Sequence, residues 1–231
     1  MPGRASSWSS AVAEGNTTSG GIASYIGRKS NEVAHPLRVL EDSRLLVKEP
    51  DLFRSGRAKY RIAEPLITFY QAIMSREWAR LELGGGPAVW PGARARFLSQ
   101  VTGPHFEAIG RDYAIAADPA VFGGPPGEVG SGVVPDPASR TQIEIDVAVL
   151  APAEHGRPRR VLSLGEVKWD RVMSLGHVER LSRARDLLAV KGFDTRDTVL
   201  TCYSSAGFDR ELQAGQRHDI RLVGLDQLYA N

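Results

Sequence analysis

Residues 141–169 constrain the fold most, because two apolar runs in this stretch carry charged side chains. The first run reads TQIEIDVAVL, the second reads VLSLGEVKW, and the polar connection APAEHGRPRR lies between them. Alternating apolar and polar residues, as in the first run, are typical of a β-strand. Gly and Pro in the connection favour a turn. We therefore predict a β-hairpin.

The charged residues of this hairpin predict a metal site. Asp146 lies in the first strand, and Glu166 and Lys168 lie two residues apart at the end of the second, so they share a face. Mg²⁺ is commonly held by one or two carboxylates, waters and a substrate phosphate. We expect Asp146 and Glu166 to hold one Mg²⁺ or Mn²⁺ ion, with Glu107 of the preceding helix either as a further ligand or as a residue that orients a ligated water. Lys168 would hold or deprotonate a water, or neutralise charge at phosphorus.

Several alternatives to this set remain open. Glu144 competes with Asp146; it faces away in a regular strand, but a bulge would exchange the two. His177 either approaches the site from the next helix or has an ordinary role on the surface or in the packing of that helix. Cys202 lies in an apolar strand without an evident His partner, so we expect no nucleophilic role. Three arginines of the late helix either line a phosphate path or form solvated surface: Arg180, Arg183 and Arg185.

The elements around the hairpin predict a mixed α/β sheet. GPHFEAIGRDYAIA has the pattern of a helix, and the Gly- and Pro-rich residues 118–140 predict a flexible loop. After the hairpin, residues 170–192 predict a helix with a buried stripe. TVLTCYSS predicts a buried strand, and IRLVGLDQLY a final strand and a short helix. The order of helix, strands, helix and strand places the fold in the α/β class.

The N-terminal part predicts a winged helix. Helical spacing in GGIASYIGRKS and in residues 31–43 is followed by short strands at 45–48 and 59–62. In a DNA-binding winged helix, the second helix enters the major groove and wing cations contact phosphates. Acidic residues also lie on the second helix. The alternative is therefore that the winged helix packs against other protein instead of binding DNA. The predicted DNA-contacting residues are Arg38, Arg54, Arg57 and Lys59.

The middle of the chain predicts a connection between two domains. EPLITFYQAIMSREWARLEL has the pattern of one helix, GGGPAVWPG predicts a loop, and ARARFLSQV a short basic helix. We predict a winged-helix domain at 1–75, a connecting segment at 76–100 and an α/β domain at 101–231.

Composition excludes some classes of protein. One cysteine in 231 residues allows neither an intramolecular disulfide nor a cysteine zinc cluster. No apolar run approaches the roughly 20 residues of a membrane span, and the N-terminus lacks the apolar core of a signal peptide. We expect a cytoplasmic protein. The net charge of +2 permits a nucleic-acid partner, and no Gly-Lys-Ser/Thr phosphate loop is present.

The ordered motifs resemble a known family. Asp146, then Glu166-Val167-Lys168, with a helical glutamate before them, resembles the PD-(D/E)XK nuclease superfamily, with Ile145 where the proline would stand. AEPLITFY, GPHFEAIGRDY, EIDVAVL and LGEVKW together resemble the C-terminal region of archaeal and bacterial AAA-type ATPases that carry the DUF234 domain. The resemblance implies a restriction-endonuclease-like mixed sheet flanked by helices, preceded by a winged helix. In that family a P-loop ATPase module comes first; this sequence has none, which leaves open a stand-alone relative or a shortened chain.

Two functions follow as expectations. The first is a Mg²⁺-dependent deoxyribonuclease whose winged helix positions DNA. The second is a non-catalytic DNA-binding or regulatory module that works with a separate P-loop ATPase. A homodimer is left open, since many such sites act in pairs to cut two strands.

Overall fold

The chain forms two compact units in a computed structural model that describes residues 4–215 and 217–229. Within those residues, the first unit comprises the chain up to Glu49 together with Arg57–His105. The second comprises Pro50–Gly56 and the chain from Phe106 onward. This division differs from the predicted one: residues 76–100 belong to the first unit instead of connecting two domains, and residues 50–56 belong to the second.

The first unit consists mainly of helices around one apolar core. Ile22, Val33, Leu37 and Ile73 are among the buried side chains of that core. Two short strands, β1 and β2, pair into a two-stranded sheet. The elements are α1 Arg4–Ala13, α2 Ser19–Tyr25, α3 Ser30–Asp42, β1 Leu46–Pro50, β2 Ala58–Ile62, α4 Pro65–Phe69, a π-helical turn Tyr70–Met74, α5 Ser75–Glu82, α6 Gly86–Phe97 and a second π-helical turn Leu98–Thr102.

Helix α6 corrects the predicted loop at GGGPAVWPG. It begins at Gly86 and continues through Pro91, although glycine and proline both disfavour helix. Val89 and Ala93 lie one turn apart on its buried face and join the first core. Tertiary packing of that face therefore outweighs the low local propensity.

The second unit contains a five-stranded mixed sheet in the order β3-β4-β5-β6-β7. Strands β3, β4 and β5 run antiparallel, whereas β6 is parallel to β5 and β7 is parallel to β6. The antiparallel β4–β5 pair confirms the predicted hairpin. The elements are α7 Gly103–Ala116, a 3₁₀ turn Pro119–Val121, β3 Glu128–Asp136, β4 Thr141–Leu150, β5 Val161–Lys168, α8 Leu175–Val190, β6 Val199–Ser204, α9 Arg210–Ala214, β7 Ile220–Val223 and α10 Leu225–Leu228.

Strand β3, Glu128–Asp136, lies within the flexible loop predicted at 118–140. Its outer side is covered by residues 50–56: the Leu52 amide donates to the Ser131 carbonyl at 3.0 Å. A Cβ on Gly130 would meet Leu52 at 3.2 Å, and one on Gly132 would come 2.5 Å from Phe53. Gly132, and to a smaller extent Gly130, therefore permit the close approach of this segment.

Helices pack on both faces of the sheet, and a bulge in β4 divides its apolar residues between them. Gly130 pairs with Ala148 and Gly132 with Ile145, so two residues, Asp146 and Val147, lie opposite Ser131. Ile145 and Ala148 join the core under α8, whereas Val147 joins the core under α7. The strand is therefore buried on both faces beyond the bulge, and the regular alternation predicted for it holds only before Asp146.

Replacing Gly165 with alanine should destabilise the second unit by about 1–3 kcal/mol through overpacking. A Cβ there would lie 2.7 Å from Tyr203 Cε2 and 3.1 Å from the Val147 carbonyl oxygen. The matched control is Gly176→Ala in α8, where the nearest atom is Ser174 Oγ at 3.8 Å. Urea unfolding followed by circular dichroism measures both variants. Equal free energies of unfolding would contradict the packing argument.

Candidate functional site

The end of β5 holds a buried carboxylate between two cations. Glu166 is 1% exposed. Its Oε1 atom lies 2.8 Å from Lys168 Nζ and 2.6 Å from Arg180 Nη2. Lys168 also donates from Nζ to the Val167 carbonyl at 3.3 Å. Since a buried charge is tolerated only when it is paired, these two cations explain why Glu166 can lie in the core.

The two oxygens of Glu166 differ in their partners. Oε2 is buried and accepts no hydrogen bond from any residue in the described part of the chain. An ionised carboxylate accepts at both oxygens, and a buried acceptor left unsatisfied costs about 1–3 kcal/mol. This oxygen is therefore suited to a ligand that brings positive charge or a hydrogen-bond donor.

Asp146 lies in the bulge of β4, next to β5. The backbone pairing of β4 with β5 reaches Val147 opposite Gly165. Beyond that point Asp146 Oδ2 accepts the amide of Val167 at 2.8 Å. Arg111 Nη1, from α7, donates to the Asp146 carbonyl oxygen at 3.0 Å. The side chain of Asp146 thus continues the hydrogen bonding between β4 and β5 in place of the backbone.

Burial raises the pKa of Asp146 above its usual value. The Val167 amide and the positive charge of Lys168 act in the opposite direction, and the negative charges of Glu166 and Glu144 raise the pKa further. Asp146 bonds the amide of Val167, which lies between Glu166 and Lys168 in the chain, so the structure brings these three charged residues together at the end of β5.

Glu107 lies on α7, where it forms an ion pair with Arg111. Its Oε2 atom is 3.9 Å from Arg111 Nη1, four residues along the helix. Arg111 therefore lies between Glu107 and the backbone of Asp146. No three His, Cys, Asp or Glu side chains among the described residues form a group that could hold a metal ion. Glu107 is thus not gathered with Asp146 and Glu166 into a three-ligand cluster.

The three residues considered as alternatives differ in their exposure and contacts. Glu144 is exposed before the bulge. His177 Nδ1 accepts the Ser174 amide at 3.1 Å, which caps the start of α8. Cys202 neighbours Glu166 on β6, and burial together with that carboxylate raises the pKa of its thiol to about 12. A thiol so difficult to ionise is a poor nucleophile.

Arg180 and Arg111 are site residues that the sequence interpretation missed. From the sequence, Arg180 was expected either to line a phosphate path or to form solvated surface. In the structure it contacts the buried Glu166. The other two arginines of α8 also have carboxylate partners: Arg183 lies 2.9 Å from Asp136, and Arg185 lies 2.9 Å from Asp219. The signal for Arg111 was its spacing of four residues from Glu107 on one helix. Arg180 carried no comparable signal, since its partner is distant in sequence.

The predicted DNA-contacting residues fall in both units. Arg38 on α3 and Arg57 after the 50–56 segment are exposed, and Lys59 on β2 is half-buried. Arg54 belongs to the second unit, where its Nε lies 2.7 Å from Asp51 Oδ2. Arg54 is therefore held by an ion pair beside β3.

Comparison with known proteins gives no relative for this chain. No protein-family model, no curated protein and no solved structure matches it. The resemblance to DUF234-type and PD-(D/E)XK proteins therefore stays a prediction from the motifs. Across the described residues, none of the helices has the length and apolar character required to cross a bilayer.

Replacing Asp146 with asparagine should change how stability depends on pH. A carboxyl group whose pKa is raised by folding binds its proton more tightly in the folded state, so it destabilises the protein progressively as pH rises from about 4. Asparagine keeps an oxygen to accept the Val167 amide and has no such titration. The difference in free energy of unfolding, variant minus wild type, should therefore increase between pH 4 and 8.

The measurement is urea unfolding in EDTA at several pH values. A difference that stays constant, or that decreases with rising pH, would show that the Asp146 carboxyl group is not desolvated in the folded protein.

Proposed function

We propose that the protein is a metal-dependent nuclease that cuts DNA phosphodiester bonds at the end of β5. The observation that carries the proposal is the buried Glu166 carboxylate. One oxygen contacts Lys168 and Arg180, and the other has no partner among the described residues. Asp146 on the neighbouring strand adds a second carboxylate, since its Oδ2 atom accepts the amide of Val167, the residue between Glu166 and Lys168.

The residues fit a hard divalent cation such as Mg²⁺ or Mn²⁺. Such an ion is commonly bound through one or two carboxylates, with waters and substrate phosphate completing its coordination. Glu166, through Oε2, and Asp146 would hold it, and Glu107 remains a candidate for contact through water. A bound ion of this kind polarises a phosphoryl oxygen and lowers the pKa of a coordinated water.

Lys168, one of the two cations beside Glu166, supplies the remaining chemistry. The Lys168 side chain is about 29% exposed, so its ammonium group is accessible at the end of β5. An ammonium group there neutralises charge that develops on the phosphate and holds a nearby water. Glu166 positions this lysine through the 2.8 Å ion pair.

We also propose a specific fold type for each of the two units, as the motif resemblance implies. The order α7, three antiparallel strands, α8 and the parallel strand β6 supports a restriction-endonuclease-like core of the DUF234 type. The order α2, α3 and the β1–β2 pair in the first unit supports a winged helix that positions DNA.

Nuclease activity should depend on Asp146 and Lys168. Purified protein with Mg²⁺ or Mn²⁺ should cut duplex DNA, and Asp146→Asn or Lys168→Met should lower the rate by at least about 100-fold, as loss of an electrostatic group in an active site does. The matched control Lys191→Met removes an exposed lysine after α8 and should cut like wild type.

Cleavage is followed on gels, and thermal melts show whether each variant folds. Equal cutting by folded wild type, Asp146→Asn and Lys168→Met would assign the activity to a contaminant and overturn the proposal.

A non-catalytic DNA-binding or regulatory module that works with a separate P-loop ATPase is the second candidate. One observation favours it: both carboxylates already have protein partners, Glu166 in its ion pairs and Asp146 on the Val167 amide. In that case the charged cluster only stabilises the fold. The protein would bind DNA or a partner and would cut nothing.

DNA binding in EDTA tests the proposed role of the first unit in either function. The double variant Arg38→Gln/Arg57→Gln should weaken binding to a fluorescent duplex, and the slope of log K against log salt should fall by up to about 0.9 for each phosphate that the variant no longer neutralises. Fluorescence anisotropy measures both quantities. Unchanged affinity and salt slope would remove these arginines from the DNA interface. Binding that survives EDTA and Asp146→Asn, without cleavage by wild type, would select the non-catalytic function.

A further inference from the structure

Arg180 is the member of the charged cluster without a role in the proposed cleavage reaction. It reaches Glu166 from α8, whereas Lys168 comes from the same strand as Glu166. The Arg180 side chain is 48% exposed although its partner is almost fully buried. Its guanidinium group therefore bridges the buried carboxylate and the surface where a substrate would arrive.

The metal-free cluster is balanced in charge. When Asp146 and Glu166 are ionised, their charges are cancelled by those of Lys168 and Arg180. A divalent cation at Glu166 adds two positive charges beside the two that are present. Repulsion among these cations opposes metal binding for as long as Arg180 stays on Glu166.

A phosphodiester changes this balance. It brings a negative charge and oxygen acceptors, and a guanidinium group matches phosphate through paired hydrogen bonds. Arg180 is better placed to change partners than Lys168, because Lys168 is also anchored to the Val167 carbonyl.

We infer that Arg180 couples metal binding to DNA binding by exchanging Glu166 for a DNA phosphate. The inference rests on the proposed metal site. Without DNA, Arg180 occupies Glu166 and weakens the affinity for the metal. With DNA bound, Arg180 pairs with a phosphate, so its charge no longer opposes binding of the ion at Glu166. Since linkage is reciprocal, a divalent cation also strengthens DNA binding. The site is therefore loaded with metal mainly when DNA is in place.

The variant Arg180→Gln separates this role from a structural one, because its two expected effects have opposite signs. Binding of Mn²⁺ without DNA should become at least about fivefold tighter, the lower end of typical coupling factors. The gain in DNA affinity on replacing EDTA with Ca²⁺ should shrink by a similar factor. A merely structural arginine would weaken both kinds of binding.

The matched control is Arg183→Gln, which removes a cation from the same helix whose partner is Asp136. Mn²⁺ binding is measured from the electron paramagnetic resonance signal of the free ion. DNA binding is measured by anisotropy of a fluorescent duplex, with a gel to show that the duplex stays intact. Arg183→Gln should leave the Mn²⁺ affinity and the Ca²⁺-dependent gain at their wild-type values.

The outcomes also separate this inference from the proposed function. If Asp146→Asn abolishes Mn²⁺ binding but Arg180→Gln behaves like wild type, the metal site stands and the coupling is overturned. If Arg183→Gln reproduces the effects of Arg180→Gln, general charge explains them and the coupling is likewise overturned. If neither wild type nor Arg180→Gln binds Mn²⁺, with or without DNA, both proposals are overturned.

Discussion

The burial of Glu166 is the constraint around which the charged end of the second unit is arranged. A carboxylate that is 1% exposed needs opposite charge close by. The fold meets this need from two directions, with Lys168 of its own strand and Arg180 of the helix that follows. Removing one partner of a buried ion pair typically costs about 3–5 kcal/mol. Helix α8 is therefore tied to the sheet by an electrostatic contact as well as by its apolar stripe.

The bulge in β4 connects this cluster to the two cores. By placing two residues opposite Ser131, it moves Val147 to the α7 face and leaves Asp146 to bond the Val167 amide with its side chain. The irregularity that turns the carboxylate towards β5 is also the one that lets both faces of the strand be buried. Arg111 then connects α7 to the backbone at the same point. Packing and the position of the site are thus set by one local feature.

Local sequence predicted those parts of the fold whose causes are local. The hairpin followed from alternation and turn residues, and the buried stripe of α8 from helical spacing: Val178, Leu181, Ala184 and Leu188 are all buried. Glu166 and Lys168 were expected on one face from their spacing alone. What was missed depends on distant partners. Strand β3 exists because β4 and residues 50–56 pair with it, α6 because its apolar face is buried, and the Arg180 contact because α8 returns over β5. None of these causes is visible within a short window of sequence.

The cover that residues 50–56 place on β3 means that the second unit is not contiguous in the chain. A fragment that begins at residue 106 would lack Leu52 and Phe53, and the Phe53 ring packs edge-on against Phe193 at 5.7 Å. In such a fragment the outer edge of the glycine-containing strand β3 would be exposed to other chains, which is a recognised route to aggregation. Autonomous folding of this unit is therefore expected only when the covering segment and the residues between it and α7 are synthesised with it. During synthesis, residues 50–56 can pair with β3 only after β3 has emerged from the ribosome.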